Sequence, residues 1–329
     1  MSITENPANG VTKWLAPIAV MSFNRPDYLR QTLAALVAQR QDLRRRRVVL
    51  FQDGAVNPLS RRRRAKDADI AAAVAVFTEL VPWGEVRLSP HNLGVALNFR
   101  RAEAELFADP LNEIVYFFED DMVVHPAYLD LLDRVAEATE NLSRPVGYFA
   151  AYGALREPIE VQERERRYLR RLAHHWAFGL RRSHWQRMQP LMARYYALTD
   201  LTDYARHSGL AIAAELRSHG VVPVHTSQDD VKKAISYALG AVSLNTMPAA
   251  ARYIGARGIH MTPETFARQG WNALQVRAEV EVDYIRPAPD ELDRLHKEEM
   301  LHRETFPARI RRRRFHPATL LREIQNLFR

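Results

Sequence analysis

Ile114–Val115–Tyr116–Phe117–Phe118–Glu119–Asp120–Asp121–Met122 is the stretch on which the fold turns. Five apolar residues, rich in β-branched and aromatic types, read as a buried strand, and three consecutive carboxylates follow it directly. Adjacent acids repel one another, and beside an apolar core that repulsion is costly unless something neutralises it. Carboxylate oxygens are the ligands that Mg²⁺ and Mn²⁺ prefer, so a divalent cation with a bound phosphate is one answer. A solvated acidic turn is the other, and the flanking sequence has to choose between them.

Upstream, strand and helix signals alternate. Ile18–Ala19–Val20–Met21–Ser22–Phe23 reads as a strand, punctuated by Asn24–Arg25–Pro26–Asp27. Leu29, Leu33, Leu36 and Val37 then recur at helical spacing, with Pro26 and Asp27 suited to the helix start. Val48–Val49–Leu50–Phe51 is a second short strand, ended by Gln52–Asp53–Gly54, and alanine-rich Ala65 to Leu80 predicts a helix. Val86–Arg87–Leu88 is a third strand, before the turn His91–Asn92–Leu93–Gly94 and a helix from Leu97 to Phe107. This alternation predicts an α/β fold of right-handed β-α-β units on a mostly parallel central sheet, with a Rossmann-like nucleotide-binding half. Such sheets bind ligands beyond the carboxyl ends of their strands, where Asn24–Arg25, Asp53 and Asp120–Asp121 fall. That agreement across three strands favours a nucleotide site over an acidic turn.

The second half is less regular. Gly147–Tyr148–Phe149–Ala150 reads as a strand, Arg156 to Arg171 as a charged, exposed connector, and Leu198 to Leu216 as a helix. Val221–Val222–Pro223–Val224–His225 reads as a short edge or terminal strand, and Gln228–Asp229–Asp230 opens a helix to Leu239. A further helix is expected over Pro289–Arg303, and Pro317–Arg329 places its apolar residues on one helical face as part of a C-terminal helical extension. The boundaries expected are a tail over 1–15, one domain over 16–275 and the extension over 276–329. Within the domain, 16–125 is the nucleotide-binding half and 126–275 the acceptor half.

With 47% hydrophobic and 26% charged residues in 329, the chain has the composition of a soluble globular protein. No apolar run approaches the roughly 18–20 residues of a membrane span, and the first ten residues lack a secretory pattern. Cysteine is absent, which excludes disulfides and thiolate metal sites and fits a cytoplasmic protein. The net charge of +8 gathers in Arg44–Arg47, Arg61–Arg64 and Arg311–Arg314. The first two blocks read as solvated loops, and without zinc-finger spacing or an aromatic-basic signature no nucleic-acid partner is expected. The third, with the amphipathic tail, suggests a peripheral contact with the inner face of the membrane.

Taken in order, Pro17 to Leu36, Phe51–Gly54, Phe118–Met122, Phe178–Leu180 and Gln228–Lys232 resemble the motifs of GT-A glycosyltransferases. The likeness is to N-acetylglucosaminyltransferase I and bacterial family 2-type enzymes, and it covers roughly residues 15–270. The resemblance implies that Asn24, Arg25 and Asp53 bind the nucleotide. An aspartate can accept a uracil N3–H, which favours a UDP-linked donor, and an arginine can fork onto phosphate. It makes Asp121 the direct ligand of Mn²⁺ or Mg²⁺, with Glu119 and Asp120 on ribose or metal-bound water. It places the general base in the pair Asp229–Asp230, the spacing favouring Asp229 and a one-residue shift favouring Asp230.

His260 matches a closing loop of that family, where it would meet pyrophosphate or complete the metal shell, and Arg257 would neutralise phosphate. Trp176 and Gly179 lie where the family shapes its sugar pocket. Asn92 is expected among the nucleotide-sugar-binding residues, in a stretch where some relatives carry a histidine that this chain lacks, and the chain departs from the pattern again at Gln228, where relatives carry tryptophan. The function expected is a metal-dependent inverting hexosyl- or N-acetylhexosaminyl-transferase with a nucleotide-sugar donor and a glycan or glycolipid acceptor. Two other classes compete. One is a nucleotidyltransferase, which needs a glycine- and lysine-rich phosphate loop that Phe23–Pro26 does not supply. The other is a non-catalytic basic protein binding nucleic acid or membrane.

Overall fold

The computed structural model describes residues 15–258, 261–271, 276, 280 and 283–314, with side chains described as far as Phe306. The elements run β1 (Ile18–Ser22), α1 (Pro26–Val37), β2 (Val48–Gln52), α2 (Asp67–Leu80), β3 (Glu85–Leu88), α3 (Gly94–Ala108) and β4 (Ile114–Glu119). β5 (Met122–Val124), α4 (Tyr128–Ala138), β6 (Val146–Ala150), α5 (Ile159–Arg164), β7 (Leu169–Arg171), β8 (Phe178–Arg181) and α6 (Arg182–Thr199) follow. The chain continues with α7 (Gly209–Ser218), α8 (Gln228–Ala238), β9 (Val242–Thr246), β10 (Ala251–Tyr253), α9 (Pro263–Arg268) and α10 (Pro289–Arg314).

Eight strands form one sheet in the order β3-β2-β1-β4-β8-β6-β9-β7. β3, β2, β1 and β4 are mutually parallel, as the alternating signals predict. β8 lies antiparallel between β4 and β6, while β6 and β9 are parallel. The chain leaves β1 towards β2 on one side and returns to β4 on the other, so the strand order reverses at β1/β4. That switch point leaves a crevice beyond the two carboxyl ends, the usual ligand position in open α/β sheets.

Burial explains the β4 pattern. Ile114 to Phe118 are all buried, because helices cover the sheet at this strand, and continuous apolar sequence is what such a strand requires. Phe117 stacks on Phe178 of β8 at 5.2 Å between ring centroids, and Phe99 of α3 joins them at 5.8 and 6.2 Å. A second, two-stranded sheet pairs β5 with β10 antiparallel, Met122 opposite Tyr253. This pairing carries the segment after β10 back over the acidic end of β4.

Several segments depart from expectation. Leu198–Leu216 is not one helix. α6 ends at Thr199, Asp203 caps a short 3₁₀ turn, and Ser208 caps α7 by accepting the Ala211 N–H at 3.2 Å. α6 itself was not anticipated, and it tolerates Pro190 inside its span. Val221–His225 pairs with no strand among the described residues, since the Val224 and His225 N–H groups donate to Asp230. Arg156–Arg171 is not a bare connector but carries α5 and β7, with Gln162 buried against the Ala249 backbone at 2.8 Å. The expected 289–303 helix extends to Arg314, and its Leu292 and Leu295 join the same hydrophobic core as the sheet.

Nor are the first two arginine blocks uniformly solvated. Arg46 is buried against Asp133 at 2.6 Å, and Arg64 pairs with Asp203. Among the described residues no helix is long and apolar enough to cross a membrane. The expected amphipathic tail and the N-terminal tail up to residue 14 lie outside the described residues, as do the side chains of Arg311–Arg314.

Candidate active site

Asp120 and Asp121 are buried at the end of β4, with Glu119 only partly covered. Arg25, at the end of β1, answers their charge. Its guanidinium is ion-paired with Asp120 and lies 2.9 Å from Asp121 Oδ2. Burial pushes the Asp120 carboxyl up to about 6 even with Arg25 opposing it, and Asp121 is raised for the same reason. Glu119 is raised furthest, by loss of hydration and then by the charges of Asp121, Asp229 and Asp120. The Thr32 hydroxyl donates to the Asp120 carbonyl at 2.9 Å and anchors the turn to α1.

The segment after β10 closes over this corner. The Ile254 N–H donates to the Asp121 carbonyl at 2.9 Å. A β-carbon at Gly255 would sit 2.5 Å from both Asp121 Oδ2 and the Tyr253 hydroxyl, so any larger residue would have to push the carboxylate or the ring aside. Arg25 donates to the Arg257 carbonyl at 3.1 Å, and the exposed Arg257 side chain pairs with Asp27. The Tyr28 ring carries both guanidiniums, at 5.4 Å for Arg25 and 5.1 Å for Arg257. Two cations thus converge beside three acids, an arrangement able to receive a phosphate group. Asn24 is half-buried beside Arg25 in the same turn. His260 lies outside the described residues.

Asp229 faces the triplet from the first turn of α8, near enough for its charge to raise Glu119. Burial works against its own ionisation, but the Ser227 hydroxyl and the Asp230 backbone N–H outweigh that and hold it below the usual carboxylate range. Asp230 is differently placed. Its Oδ2 accepts the Val224 and His225 N–H groups at 2.8 and 2.7 Å, and its Oδ1 faces Arg303 at 3.2 Å. Both Asp230 oxygens are occupied by the fold across to α10 and the 222–225 segment, whereas the partners of Asp229 are local, Ser227 and the Asp230 N–H.

Trp176 belongs to an aromatic wall beside the acids. It stacks on Tyr253 at 4.5 Å and on His174 at 4.2 Å, with Trp271 edge-on at 5.4 Å. His175 is buried behind it, stacked on Tyr148 at 4.2 Å, and neither ring nitrogen has a hydrogen-bond partner. Burial pushes His174 down to about 4 and His175 down to about 3, so both are neutral at physiological pH.

Two of the expected contact residues also serve the fold itself. Asp53 lies at the end of β2 as anticipated, but its oxygens are already taken. Oδ1 accepts the Gly54 and Leu93 N–H groups at 2.9 and 2.7 Å, while Oδ2 accepts Asn92 Nδ2 and the Gly94 N–H, both at 3.0 Å. Asp53 and Asn92 therefore build the start of α3, and a base N–H would have to displace one of these donors. Gly179 is a packing residue. It sits in mid-sheet opposite Tyr116 and Phe149, and the Phe149 ring occupies the space a β-carbon would need.

Tyr253, Tyr28 and His175 are not marked as site residues by the sequence. Gly255 and Gly258 are the local sign of a loop there, but nothing local marks a tyrosine that will lie beside an acid 132 residues away in the chain.

No protein-family model matches the chain, and no curated protein matches it. Among solved structures it is similar to the mannosyltransferase PcManGT from Pyrobaculum calidifontis, determined with GDP-Man and Mn²⁺. Identity there is 15%, over 95% of this chain and 79% of that one, with a TM-score of 0.45. Residues 1–349 of S. aureus TarS align at 11% identity, over 70% of this chain and 60% of that one, with a TM-score of 0.36. The galactosyltransferase LgtC, determined with donor and acceptor sugar analogues, aligns at 13% over 80% of this chain and 98% of that one, with a TM-score of 0.36. Likeness at this level says nothing of the reaction.

Proposed function

We propose that the chain is a metal-dependent inverting glycosyltransferase that moves a sugar from a nucleotide-sugar donor to a hydroxyl of a glycan or glycolipid. One observation carries the reading. An acidic triplet, its Asp120 and Asp121 buried, meets Arg25 at the sheet's switch point, and a separate carboxylate held ionised, Asp229 of α8, lies near enough for its charge to act on Glu119. An anion-binding corner opposed by an independent base is what a single displacement at a sugar carbon requires.

The residues present fit a divalent cation of a particular kind. Glu119, Asp120 and Asp121 offer hard oxygens, and burial raises all three carboxyls, a cost that a bound cation would relieve. No group of three or more His, Cys, Asp or Glu is arranged to hold a metal among the described residues. The fit is therefore to an ion held by one or two carboxylates, Asp121 first, with phosphate and water completing its shell, as Mg²⁺ is commonly held. Bound there, it would neutralise charge developing on the departing nucleoside diphosphate.

The chain's own groups do the rest. Arg25 and Arg257 receive the diphosphate oxygens, and the 254–258 segment excludes water above them. The Trp176 wall offers an aromatic face to sugar C–H surfaces. Asp229 accepts the acceptor hydroxyl's proton while that oxygen attacks the anomeric carbon. The bond to the leaving phosphate oxygen breaks in the same step, inverting the configuration.

The test is a melting-shift screen of nucleotide sugars with Mn²⁺, followed by transfer assays. Asp121→Ala should abolish both metal-dependent donor binding and transfer, whereas Asp229→Asn should bind donor and not turn over. Full binding and transfer by Asp121→Ala would sink the reading.

A further inference from the structure

The α10 helix reaches the candidate base through a buried ionic cluster. Arg303 is 1% exposed, and its Nη2 lies 2.9 Å from Glu299 Oε1 and 3.2 Å from Asp230 Oδ1. Its Nη1 donates to the Val222 carbonyl at 3.4 Å. Glu299, equally buried, pairs with Arg171 of β7 and lies 3.6 Å from Lys233 of α8. One arginine thus grips both the first turn of α8 and the 222–225 segment leading into it.

Asp229 and Asp230 are adjacent on that first turn, so their side chains point about 100° apart around the axis. Fixing Asp230 from behind fixes the rotation of the turn, and with it the direction of Asp229. A buried ion cluster adds little net stability over well-packed apolar side chains, because desolvation offsets the attraction. Its directionality is what an apolar contact cannot supply. Resting on the proposed role of Asp229, we infer that Arg303 is a positioning residue that aims this base through Asp230. The C-terminal helix would then be part of the acceptor half's working machinery.

The experiment compares full-length Arg303→Met and Arg303→Lys with a control, Leu292→Ala, which loosens α10 in the core without touching the cluster. Arg303→Met should lower kcat about 10–100-fold with donor affinity unchanged, as a misaimed catalytic group does. The Val224 and His225 amides should lose hydrogen-exchange protection, Arg303→Lys should recover part of the rate, and Leu292→Ala should keep the wild-type kcat per folded molecule. A folded Arg303→Met enzyme with wild-type kcat overturns the inference, as does a rate loss that Leu292→Ala matches at equal loss of melting temperature. Wild-type protein that transfers no sugar would instead overturn the proposed function. The amide protection of Arg303→Met would then still show whether α10 holds the α8 turn.

Discussion

Arg25, at the end of β1, is ion-paired with Asp120, at the end of β4, across 95 residues of chain. The two meet because β1 and β4 are parallel neighbours, with Met21 level with Glu119. The pair neutralises part of a charge cluster that would otherwise oppose folding. Arg25→Met should therefore destabilise the protein by about 3 kcal/mol, the low end for a broken buried pair because a quarter of the Arg25 side chain is exposed. Urea denaturation measures this, and added Mn²⁺ should restore part of the loss.

Asp229 and Asp230 should separate cleanly by experiment. Asp229→Asn should lower kcat by about 10²–10⁴ with donor affinity intact, the usual worth of a positioned base. Asp230→Asn should cost stability, about 1–3 kcal/mol, because two backbone N–H groups and Arg303 lose a charged acceptor, and its loss of kcat should not exceed the about 10–100-fold expected of Arg303→Met. Steady-state kinetics beside denaturation curves distinguish the two; equal kinetic losses would remove the division of labour.

Glu119 gives a pH prediction. Its folded carboxyl titrates well above the usual value, so the native state holds a proton that the unfolded chain has released. The associated stability is fully present below the unfolded value of about 4.3 and is lost as pH rises through the folded one. Glu119→Gln carries no such loss. In metal-free buffer its melting temperature relative to wild type should rise between pH 4 and pH 8, and a flat difference would refute the assignment.

Gly179→Ala tests the packing role. The added methyl must displace the Phe149 ring, a cost of about 1–3 kcal/mol from overpacking. Donor affinity of the folded fraction should be unchanged, as read by calorimetry.

The half of the chain that carries β1 to β4 was legible because its signals are local. Continuous apolar runs mark strands buried on both faces, helical spacing marks the intervening helices, and polar residues at strand ends mark the crevice. The second half resisted because β8 inserts antiparallel between β4 and β6, and no local pattern specifies a partner. Asp53 shows the same limit within the readable half. Its place at a strand end was correct, yet the Leu93 and Gly94 amides that fill its oxygens come from a turn 40 residues on.

The amino-acid sequence by itself determined the α/β alternation, the strand ahead of Glu119–Asp120–Asp121 and the acids at the start of α8. Each depends on periodicity, charge or capping within a few residues. Only the tertiary structure decided that Arg25 answers Asp120, that Gly255 lets Tyr253 and the following loop close on Asp121, and that Arg303 takes Asp230 rather than Asp229. Those are choices of partner between distant segments. They follow from which strands lie side by side and from the need of every buried charge for a counter-charge, which local pattern does not encode.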